Sequence, residues 1–153
     1  MAYSRYEYSK TVTFSRNTTT KAYDAQKAFL DTWSGVISKA SFQSKLASFS
    51  VTVLEGIFNK TVYTAIPAAV ISALSGANSW EKSEVQRIAT KGKDEISDLM
   101  AIFLKNSNYA SITFRVNYLA FKNLATGNTD FTIIQGNIVP TKITTTGGGT
   151  IPM

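Results

Sequence analysis

The sequence predicts an α+β fold: an N-terminal strand and a C-terminal β-hairpin form a small antiparallel sheet, packed against about four central helices. Three observations predict it. Residues 3–15 and 109–122 alternate apolar and polar side chains with the period of two that a half-buried strand requires. The long stretch between them repeats its apolar residues at helical spacing. After a turn-rich segment, residues 131–139 return as a further strand-like run. The 153 residues, 44% hydrophobic and 12% aromatic, suffice for one core without disulfides or metal staples.

Each element has its own local reason. In the first strand Tyr6, Tyr8, Val12 and Phe14 share one face, and Arg5, Glu7, Ser9, Thr11 and Thr13 share the other. Asn17 to Thr20 supply turn and capping chemistry. A helix is expected over about 20–39, with Ala22, Ala25, Phe29, Trp33, Val36 and Ile37 on its apolar stripe. Phe42, Leu46, Phe49, Val53 and Ile57 continue that spacing through a second segment, although Ser48 to Val53 also alternates as a strand would.

No charge lies between Lys60 and Glu81, and Ile66 to Leu74 is nearly all apolar. That run is short for a membrane span, which needs about 20 apolar residues. A buried helix with Pro67 in its first turn is expected, and a membrane-inserting element over 61–77 is the alternative. The clearest helix covers about 79–105. Asn78 or Ser79 can cap it, Glu81 suits its N-terminal dipole, and Val85, Ile88, Ala89, Ile96, Leu99, Met100, Phe103 and Leu104 mark its apolar face. Gly92 in its middle points to close packing against another helix.

The strand over 109–122 carries Ala110, Ile112, Phe114, Val116 and Tyr118 on one face, with Ser111, Thr113, Arg115 and Asn117 on the other. Leu124 to Thr129 turns the chain, Gly136 suggests a bulge, and Pro140 ends or edges the returning strand before a short extension over 141–146. Residues 1–146 thus read as a single α+β domain. Residues 147–153 form a Gly-rich tail whose order requires docking, expected on a neighbouring subunit through Ile151 and Met153.

Composition narrows the chemistry. The chain has no His and no Cys, which excludes imidazole triads, thiolate nucleophiles, His–Cys zinc sites and histidine pH switches. The start lacks the apolar core of a secretory signal, and Ala2 excludes N-myristoylation. A virion or extracellular assembly is the expected setting. Asp94, Glu95 and Asp98 form the one acidic cluster, but Lys91 and Lys93 compensate it, so a solvated helix face is expected rather than a metal site. Ser79-Trp80-Glu81-Lys82 matches the Ser-x-x-Lys nucleophile motif, yet its companion motifs are missing and capping accounts for the serine. No catalytic residue, cofactor or metal is predicted.

What remains is surface character. Only 17% of residues are charged, the net charge is +6, and Ser and Thr are abundant. A surface poor in mobile charges and rich in Tyr and Phe suits burial against a partner. The expectation is a non-enzymatic structural protein that self-assembles as a homo-oligomer, of the coat, tail or surface-layer kind. Tyr6, Tyr8, Ile151 and Met153 are its candidate subunit contacts. Arg5, Thr11, Thr13, Thr113, Arg115 and Asn117 form a candidate basic, polar face toward nucleic acid. A membrane-active, toxin-like protein inserting 61–77 and a monomeric, non-specific nucleic-acid binder are the alternatives.

Overall fold

A computed structural model describes residues 3–153; Met1 and Ala2, read above for targeting, lie outside the described residues. The fold is α+β. A four-stranded antiparallel sheet in the order β1-β2-β3-β4 packs with five helices. The strands are β1 (Tyr3–Ser15), β2 (Tyr109–Asn123), β3 (Thr129–Thr145) and β4 (Thr150–Pro152). The helices are α1 (Arg16–Trp33), α2 (Lys39–Leu46), α3 (Val51–Phe58), α4 (Ala65–Gly76) and α5 (Ser79–Lys105).

Local chemistry sets most boundaries. Ser15 ends β1 and caps α1, its hydroxyl accepting from the Thr18 amide, so the helix starts four residues earlier than its apolar stripe suggests. It also ends earlier, at Trp33, and Gly35 takes φ +80° in the turn that follows, which leaves Val36 71% exposed rather than on the stripe. The second helical segment is two helices, because Ser38 and Ser50 each cap a new start. The alternation over 48–53 spans that break and is no strand. Pro67 lies in the first turn of α4, whose Ile66, Val70 and Ala73 are buried. Asn78 rather than Ser79 caps α5, in a capping box with Glu81.

β1 and β2 pair without interruption from Tyr3↔Asn123 to Ser15↔Ser111. The β2–β3 ladder is broken by register shifts, and Gly136 (φ +128°) and Asn137 (φ +55°) lie at the shift beside Asn117. Pro140 does not end β3. It sits opposite Phe114 beside another shift, where its missing amide is tolerated, and the strand runs on to Thr145. The tail turns at Gly147 and Gly148, and β4 pairs with β3 of its own chain: Lys142↔Pro152, Ile143↔Ile151, Thr144↔Thr150.

The buried face of the sheet changes along its length. On β2, Ile112, Phe114, Val116 and Tyr118 are buried, as the alternation predicts, but Leu119 and Phe121 on the opposite face are buried too. Phe121 stacks on Phe131 at 4.3 Å, and Trp33 and Phe29 of α1 pack against that pair. A single uncovered polar face was the simpler expectation. Instead, helices cover that face around Leu119 and Phe121 and leave it open on β1 from Glu7 to Ser15, as the burial of Leu119 and Phe121 and the exposure of Glu7 and Arg115 show. Sheet twist rotates one end of a long strand relative to the other, so a flat helix layer cannot lie over one face throughout.

Candidate functional site

The two edges of the sheet receive opposite treatment. The outer edge of β3 is closed along most of its length. Gln26 of α1, fully buried, donates to the Ile134 carbonyl at 2.7 Å and accepts from the Ile134 amide at 3.1 Å. Its amide nitrogen also reaches the Ala89 carbonyl of α5 at 3.3 Å. Farther along, Glu95 of α5 accepts from the amides of Asn137 (3.1 Å) and Ile138 (2.9 Å), while Lys91 pairs with Glu95 and donates to the Asn137 side chain. Gly92 is what lets α5 come this close, because a Cβ there would drive into the Ile134 carbonyl. Its close partner is therefore a strand, together with Gln26, and not only another helix. Beyond the bulge, β4 takes over the same edge.

β1 lies at the other edge, and it has no such closure. Among the described residues no strand pairs with its outer side, and no side chain bonds its backbone between Tyr3 and Phe14. Its residues from Tyr6 to Thr13 are exposed or half-buried. A cleft of about 620 Å³ opens beside it, lined by Ser4, Arg5, Tyr6, Glu84, Ile88 and the 67% exposed Trp80.

The predicted contact residues divide between these surroundings. Tyr6 is 44% exposed, and its hydroxyl shares a 2.7 Å hydrogen bond with Thr129. Tyr8 is half-buried and stacks on Tyr118 at 5.5 Å; burial, and then the neighbouring Tyr6, raise its pKa. Tyr118 donates to the Gly56 carbonyl of α3 at 2.6 Å, and burial pushes its pKa well up. Tyr3 donates to Asp130 at 2.7 Å; burial first, then that carboxylate, push it up to about 12. Ile151 lies across from the buried Ile143 and keeps 39% of its surface exposed, and Met153 keeps 64%. The tail pairs with β3 of its own chain, and a neighbour would meet these two side chains and the short outer side of β4.

Of the candidate nucleic-acid face, five residues come together. Thr11 is opposite Arg115, Thr13 opposite Thr113 with their hydroxyls 2.8 Å apart, and Asn117 opposite Ser9. Arg5 shares their side of the strand but not their surroundings. Opposite Phe121, it lies in the cleft beneath Trp80, near Glu84, whose pKa it helps to lower after Arg87. Lys142 was missed. It stands opposite Thr113 on β3 and extends the face toward β4. Its signal in the sequence was the lack of acids, since none occurs from Leu99 to Thr129 or from Phe131 to Met153.

Among the described residues no group of three or more acidic side chains is placed to hold a metal ion, and no helix is long and apolar enough to cross a membrane. Residues 65–76 of the alternative inserting element form α4, packed into the core. No protein-family model matches the chain, and no curated protein and no solved structure matches it either.

Proposed function

We propose that this protein is a non-enzymatic structural protein that self-assembles, its copies joining along the outer edge of β1. The observation that carries this reading is the open edge itself: among the described residues, thirteen residues of regular strand have no backbone partner on the outer side, in a sheet whose opposite edge is closed by a buried glutamine, a partly exposed glutamate and a fourth strand. An exposed strand edge is a template for another strand, and proteins that remain monomeric blunt such edges with bulges, prolines, charge or covering elements. β1 has no bulge and no proline, and its three charges, Arg5, Glu7 and Lys10, are of mixed sign.

A second copy fits the edge by symmetry. An antiparallel twofold centred on Ser9 pairs the whole strand with itself. Glu7 then meets Thr11, Arg5 meets Thr13, Tyr8 meets Lys10, and no like charges stand opposite each other. Self-complementarity of this kind is what an isologous interface requires. Low surface charge and the absence of imidazole and thiol chemistry agree with a role in assembly rather than turnover.

Light scattering coupled to size-exclusion chromatography, with electron microscopy of the same fractions, tests the reading. A concentration-dependent oligomer is expected, and the Ser9→Lys/Thr13→Lys double variant, which sets one new lysine against its own copy and the other against Arg5 across the twofold, should convert it to monomer. A wild-type protein that stays monomeric at high concentration would sink it.

A further inference from the structure

The open end of the polar sheet face has a charge distribution that assembly along β1 does not use. Ten acidic residues occur in the chain, and eight of them lie on α1, α3 and α5. Of the two on strands, Asp130 is held by Tyr3 and Asn123, while Glu7, exposed on β1 opposite Leu119, accepts from the Gln135 side chain at 2.8 Å. Beyond Glu7, which Gln135 engages, the open end therefore carries no acidic side chain. Across it run three rows: Thr11, Arg115 and Val139; Thr13, Thr113, Lys142 and Pro152; and Ser15, Ser111, Thr144 and Thr150. Arg115 and Lys142 are exposed and take part in none of the described ion pairs, which are Lys27–Asp31, Arg87–Glu84 and Lys91–Glu95. Glu95, which reaches the β3 edge at Asn137, is already engaged by Lys91 and two backbone amides.

We infer that this face binds the sugar–phosphate backbone of nucleic acid. Two unpaired cations within a field of hydroxyls and an amide match what phosphates receive in such complexes: Arg and Lys for charge, with Ser, Thr and Asn as additional donors. The guanidinium of Arg115 offers a planar fork to phosphate oxygens. Of the four aromatic residues of β1, Tyr6, Tyr8 and Phe14 are on the opposite face, where Tyr8 stacks on Tyr118, and Tyr3 is buried at the far end of the strand. Bases consequently find no stacking platform beside Arg115, and contacts made to phosphates carry little sequence preference. The face belongs to one chain and does not require the β1 assembly, which would only place two such faces side by side.

Fluorescence anisotropy with fluorescein-labelled oligo(dT) of 20 nucleotides, from 50 to 200 mM salt, tests the inference on the full-length chain. Affinity is expected to fall linearly in log–log form, with a slope of about −0.7 per phosphate contacted on a single strand. Arg115→Ala and Lys142→Ala should each reduce the steepness of that slope by about 0.7, and the pair should cost about tenfold or more in affinity at the lowest salt. Arg115→Lys should retain most of the slope, and Lys39→Ala/Lys45→Ala on α2 should leave it unchanged. Absent or salt-insensitive binding overturns the inference, as does equal loss in the α2 pair. Polyglutamate bound as tightly as the oligonucleotide would also overturn it, since the face would then attract any polyanion. A protein that binds as a monomer supports this inference even if the assembly reading fails.

Discussion

The outer edges of β3 and β1 expose the same backbone chemistry, a row of amides and carbonyls that must find partners or water. At β3 the molecule invests buried residues in closing that row. Gln26 is fully enclosed and satisfied by the strand it caps, and Gly92 gives up helix propensity so that α5 can lie against it. At β1 nothing comparable is present. Edge protection is thus selective within one sheet, and the unprotected edge is the longer uninterrupted strand ladder. The difference teaches that the fold tolerates water, or another chain, along β1 but not along β3.

The largest effect expected on the closed edge is Gly92→Ala. Its Cβ has no room beside the Ile134 carbonyl, and both neighbours are backbone or buried. A loss of about 3 kcal/mol or more should appear in urea unfolding, at the upper end for overpacking. A smaller loss would mean that α5 can retreat from β3 without opening it. Gln26→Leu comes next. It leaves the Ile134 amide and carbonyl buried without partners, at about 1–3 kcal/mol for each, while the Ala89 carbonyl keeps its bond within α5. Equilibrium denaturation gives the cost, and hydrogen exchange at Ile134 shows whether the edge has opened. Glu95→Ala removes charge-assisted bonds to two amides that lie nearer the surface, so about 1.5–3 kcal/mol is the expected ceiling by the same measurement.

On the open edge, a synthetic peptide of the β1 sequence, Tyr3 to Ser15, should dissociate the oligomer by occupying the template, read by light scattering. A peptide with prolines at alternate positions should not. The smallest expected effect concerns alkaline pH. Tyr3 and Tyr118 are raised above the ordinary tyrosine value of about 10. The unfolded chain therefore loses these protons first as pH rises. The stability they confer is complete below about pH 10 and declines between there and about 12. Tyr118→Phe should weaken this decline while losing the bond to Gly56, measured as denaturation midpoints from pH 8 to 11.

Much of the architecture was legible in the sequence. β1 and the span of α5 were readable, because strict alternation over 3–15 and the apolar stripe over 79–105 are local signals that tertiary packing did not override, while only the structure decided that Asn78 rather than Ser79 is the cap. The start of α1 was misplaced because Ser15, a strand residue by pattern, was also the cap. α2 and α3 were merged because their apolar residues keep one helical phase across the break at Ala47 to Ser50. Of the candidate face, Thr11, Thr13, Thr113, Arg115 and Asn117 were found from alternation alone, whereas Arg5 has the same parity and entirely different surroundings.

Alternation assigns a side chain to one of two sides of its strand, and that much the amino-acid order determines without help. It also determines the caps, the turns, the net charge and the absence of imidazole and thiol. Which side is covered at each point along the strand, which edge receives a glutamine and a glutamate, and where the tail pairs were decided by tertiary structure. The physical reason is range: caps and periodicities act over a few residues, whereas Gln26 meets Ile134 across 108 positions and sheet twist accumulates over whole strands.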